Sequence, residues 1–233
     1  SNLKTVGDFE TFCYTIKANG DILKYGDEIN SIQEESKADT SQTNTQVQNV
    51  DEADIIKAYK DNIYYVADRK VIILDTKSPE NSKKIAEINY EQEKFYPSEI
   101  YVNDEKLIVI GNISDEMTCK TTIVDITKDT AEIPENKLNM IIYDIRDKKA
   151  PKEERRIEVD GNYLSSRMID NNIYLVSNKN IYTKNILENS FQELDEKKYM
   201  PKYKDTAISE EIKYIDYNKI SCFENTKNAN YLI

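Results

Sequence analysis

The chain has 233 residues, no histidine, and a net charge of −11 from 32 Lys+Arg against 43 Asp+Glu. The acidic balance repels nucleic-acid phosphates and anionic membrane surfaces. The lack of imidazole removes Ser-His-Asp triads, Cys-His dyads, HExxH zinc sites and histidine proton shuttles.

Hydrophobic residues make up 39% of the chain and charged residues 32%. The apolar residues cluster in short runs, so a core is feasible. The longest of these runs, Val71–Leu74 and Leu107–Ile110, fall far short of the roughly 20 residues that cross a bilayer. No membrane insertion by this stretch is expected. Cys13, Cys119 and Cys222 form no CxxC pair. They read as free thiols, with one long-range disulfide left open. No cofactor is implied.

At the start of the chain, Phe9, Phe12, Cys13 and Ile16 recur at one helical face. Asp8 is placed to cap this helix and Asn19-Gly20 to stop it. Residues 1–26 are therefore read as an N-terminal helical segment. A helix of about 12 residues is marginal alone, so it must dock on another surface, expected to be the main domain. Residues 27–49, rich in Glu, Ser, Thr, Gln and Asn, read as a polar linker or strap. Its end, Thr45 to Val50, is suited to add as an edge strand.

From Val50 to Ile233 the pattern changes to short strands rich in Tyr, Ile and Val, about ten residues apart. Such spacing indicates an antiparallel all-β meander. The meander recurs. Asp61–Val66, Asp104–Ile110 and Asp170–Val176 each place a polar turn before an apolar second strand. Val71–Asp75 and Met140–Asp144 align as third strands. Lys84–Ile88 and Glu154–Val159 align as charged fourth strands after Pro79 and Pro151. The interval from Ile63 to Leu107 is one four-stranded blade of about 40–45 residues. The longer interval to Ile173 holds an insertion, placed around Asn112 to Leu138, with an extra strand at Lys120–Ile126. The expected fold class is all-β, a partial or truncated β-propeller of four-stranded antiparallel blades with a short N-terminal α-helix. Residues 50–233 have room for about four blades. That is an incomplete ring, whose open edge invites edge-strand self-association.

Two groups of residues invite a functional reading. Asp51, Glu52 and Asp54 lie within four positions and offer carboxylates to a cation, with Asp51 and Asp54 as weak metal candidates. The structural alternative is turn and strand-edge bonds to backbone N–H groups. Counting six positions back from Ile63, Leu107 and Ile173 gives Lys57, Tyr101 and Arg167. First strands line the channel of a propeller, so these three are candidate channel-facing ligand residues for a small anion or a sugar. The structural alternative is that their donors satisfy carbonyls at the channel wall. The tyrosines Tyr59, Tyr64, Tyr65, Tyr90, Tyr96 and Tyr101 suit either a contact surface or core packing. Lys152–Arg156 reads as a solvated edge, and no carboxylate pair stands out by spacing.

The stretch Thr43–Lys57 (TNTQVQNVDEADIIK) resembles a bacterial family of secreted β-propeller domains distantly related to WD repeats. The resemblance continues over Met140–Tyr182 and is weaker from Pro201 to Asp216. It implies an exported, often membrane-tethered protein with no established activity, and it supplies no catalytic residues. The expected function is thus a binding or scaffolding module without catalysis, extracellular or attached to the cell envelope, with an unknown protein or glycan as partner. The alternatives are a carbohydrate-active hydrolase using paired carboxylates on the axial face, and a purely structural cell-envelope domain.

Overall fold

A computed structural model describes residues 3–23, 50–113, 136–181, 186, 189–223 and 231–232. The linker at 27–49, Cys119, the extra strand at 120–126 and the side chain of Cys222 lie outside the described residues. The elements run β1 (Leu3–Thr5), α1 (Phe9–Leu23), β2 (Val50–Asp51), β3 (Ile56–Tyr59), β4 (Asn62–Ala67), β5 (Lys70–Asp75), β6 (Lys83–Asn89), β7 (Phe95–Val102), β8 (Lys106–Ile113), β9 (Lys137–Asp144), β10 (Lys152–Asp160), β11 (Asn162–Ile169), β12 (Asn172–Asn180), β13 (Lys202–Asp205), β14 (Ser209–Tyr214), β15 (Ser221–Phe223) and β16 (Tyr231–Leu232).

The chain divides into two compact units, one of residues 1–48, 179–201 and 214–233, the other of 49–178 and 202–213. This differs from the expected partition into a helical segment, a linker and blades over 50–233. The reason is the apolar face of α1, which needs a partner and finds it in the C-terminal part of the chain. Phe12, Cys13 and Ile16 are buried with Val6, Ile186, Tyr199, Tyr217 and Ile220. The Phe12 and Tyr217 rings lie 5.3 Å apart and those of Phe9 and Tyr199 5.8 Å apart. Asp8 caps the helix, its Oδ1 accepting from the Thr11 N–H at 2.7 Å. That bond holds the Asp8 carboxyl below its ordinary range. The expected stop at Asn19-Gly20 does not act, and α1 continues to Leu23. One glycine weakens a helix by only about 1 kcal/mol, too little to end one already docked. In the same unit β1 pairs antiparallel with β15, and the last two residues of β12 pair with β16.

The other unit holds the repeated sheets. The first is the meander β3-β4-β5-β6. Its tight turns place Lys60 and Asp68 at φ 52° and 54°, left-handed conformations that Asp tolerates well. The second sheet contains β7-β8-β9-β10 and continues outward through β13 to β14, giving six strands. In the third, β11 and β12 form a hairpin turned at Asp170, and β2 joins the free side of β11. The assigned second, third and fourth strands are these strands. The insertion is narrower than expected, because Asn112–Ile113 and Lys137–Leu138 belong to the paired strands β8 and β9.

The second sheet is covered on both faces. Leu107, Val109, Ile141 and Tyr143 pack toward Tyr64, Val71 and Ile73 of the first sheet. The alternate residues Ile108, Ile110, Leu138 and Met140 pack toward Met168, Ile173 and Leu175 of the third. That double burial explains why Leu107–Ile110 reads as an unbroken apolar run rather than an alternating one. Sheets stacked in this way form the partial propeller.

Candidate functional site

The first strands β3 and β7 are end strands of their sheets, β11 is flanked by β12 and β2, and Val50–Asp54 runs past β11 and β7 before the first sheet begins. Asp51 and Val50 pair antiparallel with Met168 and Ile169 of β11. Asp54 then bridges to β7. Its carbonyl accepts from the Ile100 N–H at 2.8 Å, and its own N–H reaches the Ile100 carbonyl at 3.4 Å. Val50–Asp54 is thus a strap that hydrogen-bonds to the inner strands of the second and third sheets before the chain enters the first.

Cations from two sheets grip this strap. The Lys57 ammonium, on β3, lies 3.0 Å from Asp51 Oδ1 and donates to the Glu52 carbonyl. It also sits 5.8 Å from the centroid of the Tyr101 ring, within cation–π range. Only 19% of the Lys57 side chain is exposed. Arg167, on β11, places Nη2 3.1 Å from Glu52 Oε1, with both side chains half exposed. Its Nη1 donates to the Ser166 carbonyl at 2.6 Å.

Beneath the ion pairs a hydrogen-bonded relay joins the second and third sheets. The Tyr101 hydroxyl lies 2.9 Å from Ser166 Oγ, which lies 2.9 Å from the Tyr163 hydroxyl. The Tyr163 hydroxyl donates to Glu99. Burial raises the pKa of Tyr101 and of Tyr163, so both stay neutral and able to donate.

The structure therefore brings Lys57, Tyr101 and Arg167 to one place, but what they hold is the chain itself. Tyr101 is fully buried, so it supports the site from below and presents no surface to a ligand. Asp51 and Asp54 do not converge on a cation position. Asp51 goes to Lys57, and Asp54 Oδ1 accepts from the Ile55 N–H at 2.7 Å. No group of three or more Cys, Asp or Glu side chains suited to a metal exists among the described residues. The sequence carries no pattern that singles out Glu99, Tyr163 and Ser166. Their only local sign is that Ser166 precedes Arg167, since β7 and β11 belong to different sheets and only the stacking of those sheets brings Tyr163 and Ser166 to Glu99 and Tyr101. Of the tyrosine cluster, Tyr64, Tyr90 and Tyr101 are core residues.

Elsewhere in this unit, a small open cleft, with room for about one water molecule, lies between β10, β13 and β14. Its Lys204 is engaged by Glu210 at 2.7 Å. Among the described residues, the carboxylates whose pKa departs from the ordinary value, Asp8, Glu87, Asp104, Asp144 and Asp205, all move down, each through hydrogen bonds to its neighbours.

Residues 40–233 match the family described as Beta propeller domain. The chain belongs to this family. Among curated proteins, the propeller is 28% identical over 161 residues to "Uncharacterized protein MJ1554" of Methanocaldococcus jannaschii. The match covers 69% of this chain and 21% of that protein, so the chain spans about a fifth of its relative's length. No solved structure matches. Among the described residues of the propeller no helix is long and apolar enough to cross a membrane.

Proposed function

We propose that the protein is a non-catalytic binding and scaffolding module that recognises its partner, a protein or a glycan, at the hub where the first strands meet. The observation that carries this reading is the convergence of Lys57 and Arg167, from different sheets, on adjacent carboxylates of one extended segment. Cations so placed are preformed receptors for charged or strongly hydrogen-bonding groups. The resemblance of Thr43–Lys57 and Met140–Tyr182 to secreted bacterial propellers related to WD repeats supports an exported, envelope-attached setting. A two-carboxylate hydrolase needs one acid held protonated by a raised pKa. Glu87, Asp104, Asp144 and Asp205 move the other way, each held by a neighbouring Lys or Arg.

A glycan array and a pull-down from envelope extract test the reading, each run with the wild-type chain and with Arg167→Ala. Saturable binding that Arg167→Ala weakens supports it. Release of reducing sugar from a polysaccharide panel would contradict it. Blank binding screens would favour a purely structural envelope domain.

A further inference from the structure

We propose that the hub is a receptor for an extended acidic peptide segment, and that Val50–Asp54 is its built-in, displaceable occupant. The inference rests on the reading of the hub as a binding surface and names the class of ligand. The strap is held as a bound peptide would be. Its main chain adds to the free edge of β11 over two residues and touches β7 at one, which is strand addition to an exposed sheet edge. Its side chains supply the specificity. Asp51 is taken by Lys57 of the first sheet and Glu52 by Arg167 of the third. The next residue, Ala53, packs its small side chain against the core between the second and third sheets. The recognised pattern is two successive acidic residues followed by a small one, in extended conformation.

The same contacts make the strap exchangeable. Its ladder has two residue pairs where β8 and β9 share eight. The bond from the Asp54 N–H is long at 3.4 Å, and the Glu52–Arg167 pair stands half in solvent, where ion pairs contribute little. Attachment to the chain gives the strap a high effective concentration, so it masks the receptor until a competing segment arrives.

The test uses the full chain and a dye-labelled peptide with the sequence of residues 49–55, Asn-Val-Asp-Glu-Ala-Asp-Ile, read by fluorescence polarisation. In Asp51→Asn/Glu52→Gln the strap loses its charges and keeps its shape. This variant is expected to bind the peptide at least about tenfold more tightly than wild type, with affinity falling as salt rises. Adding Lys57→Gln/Arg167→Gln should abolish binding. If the double strap variant fails to give a folded far-ultraviolet spectrum, Glu52→Gln alone, at a half-exposed site, serves with a smaller gain. No saturable binding by a folded strap variant would overturn the proposal, as would binding that persists without both cations. A blank peptide result beside an Arg167-dependent hit on the glycan array removes the built-in occupant and leaves the binding reading standing.

Discussion

Tyrosine hydroxyls set the alkaline limit of this protein. Burial pushes Tyr64 and Tyr143 up to about 12 and raises Tyr90, Tyr101, Tyr163 and Tyr217 as well. The unfolded chain loses these protons near pH 10. The stability they confer is therefore complete below about pH 10 and is lost as pH rises toward 12. A spectrophotometric titration should show these tyrosines ionising together with loss of the folded signal, not in a separate earlier step. Tyr64 has no hydrogen-bond partner for its hydroxyl among the described residues. Tyr64→Phe is thus expected to leave stability unchanged or to raise it by up to about 1 kcal/mol in urea unfolding. Asp205 behaves in the opposite sense. The Arg155 guanidinium grips it at 2.9 and 2.5 Å and holds its carboxyl below the ordinary range. Its contribution is present above about pH 4 and fades as pH falls below that. Asp205→Asn should cost about 1–2 kcal/mol near neutrality, a modest figure because Arg155 is partly exposed.

At the scale of elements, the strands were legible wherever period and turn chemistry agreed. Second, third and fourth strands were found because each follows a polar turn or a proline and carries its own apolar run. Three features were not legible. The helix α1 passes Asn19-Gly20 because docking outweighs one glycine. The hairpin of β13 and β14 adds outside β10, with Ile157 opposite Asp205, because pairing across some 45 residues leaves no local pattern. The strap pairs over too few residues to show an alternation, and of the edge strand expected at Thr45–Val50 only Val50, which pairs with Ile169, lies among the described residues. One close approach is testable. A Cβ on Gly111 would collide with the Tyr96 carbonyl and lie 2.7 Å from the Pro97 Cα, beside the bulge of β7. Because backbone cannot yield as a side chain can, Gly111→Ala should destabilise by about 1–3 kcal/mol in urea unfolding. In the other unit, Phe12→Ala removes a fully buried ring from the face of α1. It should cost about 3–5 kcal/mol and expose the N-terminal helix to limited proteolysis.

The molecule as a whole joins family membership to one arrangement. The second sheet is sandwiched between the first and the third, and their inner strands are tied by a strap whose carboxylates meet cations from two sheets. Part of this site was readable beforehand, since counting back from aligned second strands reached Lys57, Tyr101 and Arg167. What they touch was not, because Tyr163 and Ser166 of β11 meet Glu99 and Tyr101 of β7 only once the sheets stack. The most direct measurement is hydrogen exchange by mass spectrometry on the full chain, comparing wild type with Asp51→Asn/Glu52→Gln. Faster exchange confined to β7 around Ile100 and to β11 around Met168 and Ile169, with β8 and β9 as protected as before, is the predicted result. Unchanged protection in both inner strands would contradict the account.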